Sequence, residues 1–419
     1  MNHRHLNQLA ITLAILATSA SIAIAQSAPQ FVARRDISLS GEIVVLAGEL
    51  ISTVSVENGK ATMVLADGKR ATVDRSELAD VNEAVGVLST LIQKDPKNSR
   101  LYSARANVWA VRNDFAKAIE DATRAIDVSD AEDATLHVNR GVFYGSTGDY
   151  DKAVADYVKA TEIDPKMYSA YRNLASAHVA RQEFDKAVEV CTQLIKVNDD
   201  NAQHYIQRGV AFRHLKNWDA AIGDFSKTLE LDKNNLAALG SRGFVNYLKG
   251  DHAAAVKDFD AIIKLKPDDA MAYNNRGYNA FMSGDYKQAL ADYDKATSLL
   301  PAYAAAWQNK AWLLATCPQD DIRDGEAAIA AAKQATNYRQ QKNASDVKAL
   351  AAAYAETGNF EKAVEHQRSV IGLVGEDQKK DEELILAIYQ EKKPYRTKPA
   401  TSTPTATPDA ASNSDTEGK

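Results

Sequence analysis

The chain has 419 residues, of which 25% are charged and 45% apolar, and a formal net charge of −6. That balance is ordinary for a folded soluble protein, and the acidic excess excludes general nucleic-acid binding, which needs a basic face to displace counterions from phosphate. Two cysteines, Cys191 and Cys317, are too few for a disulfide framework.

The first predicted element is a targeting segment at residues 1–25. Met1 to His5 carry Arg4 and the free amine, Leu6 to Ala23 are mostly apolar, and Ala23-Ile24-Ala25 offers the small residues a signal peptidase requires. Cleavage is expected after Ala25, which places the mature chain in the periplasm or outside the cell. Residues 26–80 have a different rhythm. The runs "IVVL", "LISTVSV", "ATMVL" and "RATVD" are short and β-rich, and Asn58-Gly59 and Asp67-Gly68 read as hairpin turns. Five strands in this length resemble a small SH3-like barrel of the bacterial kind. Such barrels often bind peptide or wall glycan through an aromatic cleft, but this copy has Phe31 and no Trp or Tyr. Covering the end of the neighbouring helical region is the simpler role.

Helical patterns begin near residue 81. Alanines that open an "A-[IVL]-x-x-x" pattern stand at Ala84, Ala118, Ala153, Ala187, Ala221, Ala255, Ala289, Ala328 and Ala363, separated by 34, 35, 34, 34, 34, 34, 39 and 35 residues. Such a period means stacked helix pairs. Within a repeat, Gly250 stops one helix in the left-handed conformation and Asp251 caps the next. Ala255, Phe259 and Ile262 then form one apolar stripe, and Pro267 ends the repeat. Gly148-Asp149, Gly284-Asp285 and Gly358-Asn359 repeat the punctuation. The seventh repeat has five extra residues between its helices.

This spacing resembles tetratricopeptide repeats. Tyr273, Gly277, Phe281 (one place late), Ala289, Tyr293, Ala296 and Pro301 fall where that family has its large, small, aromatic, alanine and proline positions. The resemblance implies an all-α right-handed superhelical solenoid of helix hairpins, preceded by the SH3-like β segment. Residues 81–98 would be an N-terminal capping helix and 99–393 eight repeats. Residues 394–419, rich in Thr, Pro, Ala and Ser, would be a disordered tail. "LLATCPQDDIRDGEAAIAAAKQA", "LAAAYAETGNFEKAVEHQ" and "YQEKKPYR" are similar to an exported bacterial subgroup that has no assigned activity.

The aspartates could suggest an acidic site, since Asp285, Asp292 and Asp294 lie within ten residues. Comparison among the repeats says otherwise. Asp121, Asp156, Asp224, Asp258 and Asp292 occupy one place in five repeats, and Arg105, Arg140, Arg208, Arg242 and Arg276 occupy another in the same five. Where the aspartate gives way to Val190, Ala331 or His366, the arginine gives way to Leu174, Lys310 or Leu350. Each Arg is therefore expected to clasp an Asp of a second helix, in its own pair or the adjacent one. Asp285 reads as a cap and Asp294 as solvated. No phosphate loop, His-Glu-x-x-His or Cys-x-x-Cys is present, so no catalytic residue, metal or cofactor is assigned. Cys191 belongs in a core, and Cys317-Pro318 is too short to define a haem site.

The first helices of tetratricopeptide repeats line a groove. The resemblance implies that Phe244, Tyr247, Asn274, Asn275, Tyr278, Phe281, Gln308, Asn309 and Trp312 face it, with Tyr247 and Phe281 equally able to turn into the core. A carboxylate clamp would need basic residues where Ser103, Ser169 and Asn173 stand, although Asn107 and Asn139 fit it. The expected function is a non-enzymatic exported scaffold for a peptide or protein partner. The alternatives are a cell-wall adaptor whose β segment binds peptidoglycan or peptide while the repeats recruit an envelope enzyme, and a hydrolase with an unseen site.

Overall fold

The structure is a computed structural model that describes residues 30–34, 37–39, 42–45, 49–64, 70–339 and 343–398. The signal segment, the Asp67-Gly68 turn and the tail beyond 398 lie outside the described residues. The chain divides into two compact units, one ending at Leu215 and one beginning at Lys216. The described residues hold eighteen α-helices and seven strands, two strands more than the five expected.

The first unit opens with β1 (Gln30–Ala33), β2 (Ile37–Leu39), β3 (Glu42–Val45), β4 (Leu50–Glu57), β5 (Lys60–Val64), β6 (Arg70–Asp74) and β7 (Leu78–Asp80). Five of them form an antiparallel sheet in the order β6-β5-β4-β1-β7, and β2 pairs with β3. This arrangement is compatible with an SH3-like part. Asn58 (φ 49°) and Gly59 (φ 76°) make the tight turn between β4 and β5. Phe31 is buried beneath the Arg75 guanidinium, 4.4 Å from the ring centroid. The segment's lone aromatic is thus core and lines no surface cleft. On the other side of β1, Val32 packs into one cluster with Ala84, Leu88, Ile92, Leu101 and Tyr102. The β segment covers the first helices.

Those helices are α1 (Val81–Lys94), then the hairpins α2 (Ser99–Val111) with α3 (Phe115–Asp127), α4 (Ala134–Ser146) with α5 (Tyr150–Ile163), and α6 (Tyr168–Ala180) with α7 (Phe184–Val197); α8 (Ala202–His214) closes the unit. The second unit starts with α9 (Trp218–Leu231). It continues with the hairpins α10 (Leu236–Lys249) with α11 (His252–Leu265), α12 (Ala270–Met282) with α13 (Tyr286–Leu299), α14 (Ala304–Thr316) with α15 (Gly325–Tyr338) and α16 (Ala344–Glu356) with α17 (Phe360–Leu373), and ends in α18 (Glu376–Gln390). Seven of the eight expected pairs lie within a unit; α8 and α9 belong to different ones.

Local chemistry sets the helix ends. The carboxylates of Asp251 and Asp285 accept from the free N–H groups of Ala254 (3.0 Å) and Gln288 (3.1 Å). Gly148, Gly250, Gly284 and Gly358 all have positive φ, and their lack of a Cβ makes this backbone inexpensive. Asn113, Gln182 and Lys216 take the same conformation at the equivalent place without that advantage. All nine alanines of the repeat pattern are fully buried, each at 0% exposure. They sit where paired helices approach most closely. A Cβ added to Gly277 would lie 3.0 Å from Tyr293 and 3.2 Å from the Ala289 carbonyl.

The extra residues of the seventh repeat do not form an idle bulge. Ile322 packs with Cys317, Phe281, Tyr286 and Leu313, and Arg323 Nη1 donates to the Cys317 carbonyl at 2.8 Å. Cys191 and Cys317 are both buried free thiols. Residues 395–397, expected to belong to the disordered tail, are instead held against α14 and α16.

Candidate functional site

Four of the five expected arginine–aspartate pairs are seen, each within one hairpin. Arg105 Nε and Nη2 grip Asp121 at 2.7 and 2.7 Å, and Arg140 grips Asp156 at 2.9 and 2.7 Å. Arg242 reaches Asp258 at 2.6 Å, and Arg276 holds Asp292 at 2.8 and 2.5 Å. These four aspartates are buried, and the two-bond fork satisfies carboxylates that would otherwise be costly to bury. Bonds to Asp292 and Asp260 outweigh desolvation and raise the pKa of Arg276. Arg208 and Asp224 belong to different compact units, so their pairing is not described. Asp294 is exposed, as expected, but carries an ion pair with Lys310 at 2.6 Å.

A third member of the pattern is not evident from the sequence. The remaining Nη1 of each arginine turns to the preceding second helix, sixteen or seventeen residues back. It donates to Ser89 (2.9 Å), Thr123 (3.3 Å), Thr192 (3.2 Å), Ser226 (2.9 Å) and Asp260 (2.6 Å). Lys310 reaching Asp294 is the same contact with a shorter head group. The signal was present as a Ser/Thr/Asp recurring with the repeat period. Its chemical variety hid it, because any oxygen acceptor suffices.

The remaining candidate residues lie on α10, α12 and α14. The structure brings three of them together. The ring centroids of Phe244 and Tyr247 are 6.0 Å apart, and Tyr278 meets Tyr247 edge-on at 5.6 Å. All three are half-buried, so each keeps part of its ring accessible. His252 extends the cluster, 6.0 Å from Tyr247, and its Nδ1 bonds the Asn279 side chain at 2.9 Å.

Two candidates do not belong to an accessible face. Asn274 is fully buried: its Oδ1 accepts from Asn309 Nδ2 at 2.9 Å, and its Nδ2 donates to the Tyr303 hydroxyl at 3.4 Å. This amide ties α12 to α14, and a buried amide without such partners would be destabilising. Burial raises the pKa of the Tyr303 phenol to about 12, further from ionisation than an exposed tyrosine. Phe281 is buried too, its ring 5.6 Å from Tyr286 and packed with Leu313 and Cys317. Its place one residue late in the pattern turns it from the groove face into the hairpin. Asn275 and Gln308 remain half-buried.

Trp312 is occupied. Tyr395 lies 5.8 Å from its ring and the Lys348 ammonium 5.3 Å from it. Lys348 in turn ion-pairs with the buried Glu382 at 2.6 Å. Neither Lys348 nor Tyr395 was singled out in the sequence. Among the described residues no cluster of three or more His, Cys, Asp or Glu side chains could hold a metal ion, and no helix is long and apolar enough to cross a membrane.

Family models for the tetratricopeptide repeat match residues 112–170, 146–207 and 270–303. RNA polymerase II-associated protein 3 of Xenopus laevis is 37% identical over 109 residues, 26% of this chain and 16% of that protein. A DnaJ homolog subfamily C member 7 homolog of Dictyostelium discoideum is 24% identical over 174 residues, 38% of this chain and 32% of that protein. The chain thus spans a third or less of these relatives' own length. Among solved structures, a tetratricopeptide repeat protein from Parabacteroides merdae superposes with a TM-score of 0.46 at 20% identity, covering 61% of this chain and 99% of that one. With helix hairpins, buried alanines and close-approach glycines at the family's spacing, this chain carries tetratricopeptide repeats over residues 112–207 and 270–303.

Proposed function

We propose that this protein is an exported, non-enzymatic scaffold that holds an extended peptide or protein segment against the first helices of its repeats. Tetratricopeptide repeats serve generally as protein-interaction scaffolds. The observation that carries the reading is the accessible aromatic cluster of Phe244, Tyr247 and Tyr278 on neighbouring first helices. Half-exposed aromatic rings supply large contact area at low entropy cost. Asn275 and Gln308, on α12 and α14, supply amides suited to a peptide backbone. A wall-binding role for the β segment gains nothing from Phe31, which is buried.

The test is a displayed peptide library selected on the full mature chain. Tyr247→Ala/Tyr278→Ala should lower the affinity of selected peptides by tenfold or more, on the order of 1.4 kcal/mol. Peptides that bind the variant unchanged would remove the assignment. Export is tested separately: envelope-fraction protein should begin at Gln26.

A further inference from the structure

Beyond α18 the chain reverses and returns to the repeats. Lys392 adopts a left-handed conformation (φ 56°), and Lys393 N–H bonds the Ile388 carbonyl at 3.1 Å. Residues 395–397 then cross the carboxyl ends of α14 and α16. Tyr395 packs on Trp312 and on the cluster of Ala351, Ala355 and Tyr389. Arg396 Nη1 ion-pairs with Glu356 at 2.6 Å and approaches the Ala315 carbonyl at 3.4 Å. Thr397 N–H donates to the Thr316 carbonyl at 2.9 Å. The two threonine hydroxyls meet at 2.7 Å. Thr316 spends its proton on the Trp312 carbonyl, so Thr397 is the donor there.

These contacts are those of a bound peptide. The last carbonyls of α14 have no partner within their helix and carry its negative end. Here a guanidinium and a peptide N–H from 81 residues away serve them. Three consecutive side chains find three different receptors: an aromatic platform, a carboxylate and a hydroxyl. Among the described residues the contact runs through these three, so the free energy that holds them is modest and exchange is feasible.

We infer that Trp312, Thr316 and Glu356 form a peptide-binding site for extended aromatic–Arg–Thr/Ser segments, filled in this chain by Tyr395-Arg396-Thr397. The site is distinct from the Phe244–Tyr247–Tyr278 cluster, and a partner with this pattern must displace the resident segment to bind. Occupied, it covers part of Trp312; vacated, it adds aromatic surface to the repeats.

The probe is the labelled hexapeptide KPYRTK, added to the full-length chain. A Tyr395→Ala/Arg396→Ala chain should bind it at least tenfold more tightly than wild type. Adding Glu356→Gln to that chain, or replacing the peptide arginine by alanine, should remove about tenfold. Equal affinity for wild type and the double variant overturns the inference, as does an absence of binding to both. Should the double variant lose the wild-type circular dichroism, hydrogen exchange decides on wild type alone. The Thr397 amide, bonded to the Thr316 carbonyl, should exchange slowly and should exchange faster with excess hexapeptide. A rate that excess hexapeptide leaves unchanged overturns the inference.

Discussion

Arg276 stands between two carboxylates on different helices, Asp292 of its own hairpin at 2.5 Å and Asp260 of the preceding second helix at 2.6 Å. One guanidinium thereby joins three helices. In the third hairpin the same places hold Leu174 and Val190, which pack in one apolar cluster. That substitution within the chain sets the expected energetics. Asp292→Val alone should cost about 3 kcal/mol, because it leaves a half-buried guanidinium short of its main partner. Arg276→Leu/Asp292→Val should come back to within about 1 kcal/mol of wild type. Urea midpoints for the four chains give the coupling energy, and a value near zero would dismiss the pairing as incidental.

Close packing predicts opposite signs for two glycine-to-alanine changes. At Gly277 the new Cβ would meet Asp292 and Tyr293 at 3.0 Å and a backbone oxygen at 3.2 Å, so Gly277→Ala should destabilise by about 1–3 kcal/mol. At Gly86, in α1, nothing lies within 4 Å, and Gly86→Ala should stabilise by about 0.5–1 kcal/mol through helix propensity. Ala255→Leu belongs with the first case and should also cost about 1–3 kcal/mol. Melting temperatures moving in one direction for all three would contradict this account of the hairpin contact.

Gln182 has φ 61° at the place where other repeats use glycine. A side chain there is strained against its own carbonyl. Gln182→Gly should raise stability by about 0.5–1 kcal/mol, the relief of strain exceeding the added unfolded-state entropy. Gly148→Ala, at φ 80°, should lower it by about 1–2 kcal/mol. Thermal denaturation of the two chains reads both.

His214 should make stability fall with acid. Its ring stacks on Phe184 at 4.4 Å, and burial, with help from Arg213, lowers its pKa to about 4. The unfolded chain takes up this proton near pH 6.5 and the folded one only near 4. The folded state is therefore unaffected above about 6.5 and loses stability progressively as pH drops through that interval. His214→Phe should keep the stack and lose less stability than wild type between pH 7 and 5. Parallel pH profiles would assign the acid sensitivity elsewhere.

The repeat architecture could be read because it is written many times. Ala255 means little alone, but nine alanines at a common spacing leave only the position where two helices touch. The Arg–Asp pairs were legible for the same reason, since both members vanish together at Leu174 and Val190. Features that occur once were not legible. Asn274 is an ordinary groove residue by position and Phe281, one place late, could face either way; the packing of Cys317, Ile322 and Tyr303 around them shows that both turn inward. Tyr395-Arg396-Thr397 sits in a stretch whose composition suggests no order. What holds it is two helix ends and a carboxylate brought together from far along the chain, which local composition cannot register.

The apolar joint around Leu174 has a consequence for how such an array can be lengthened or shortened. Val158 in α5 stands at the place that holds Ser89, Thr123, Thr192, Ser226, Asp260 and Asp294 in other helices, and the hairpin that follows it carries Leu174 in place of arginine. Excising α6 and α7 as one repeat would set Arg208 against Val158 and leave a guanidinium arm without its oxygen. Inserting a copy of α6 and α7 after a repeat that offers Ser, Thr or Asp there would strand a hydroxyl or carboxylate opposite Leu174. The second and third hairpins therefore match their neighbours only as one block of about twice the repeat length, whereas hairpins that carry both the arginine and the oxygen acceptor can be exchanged singly.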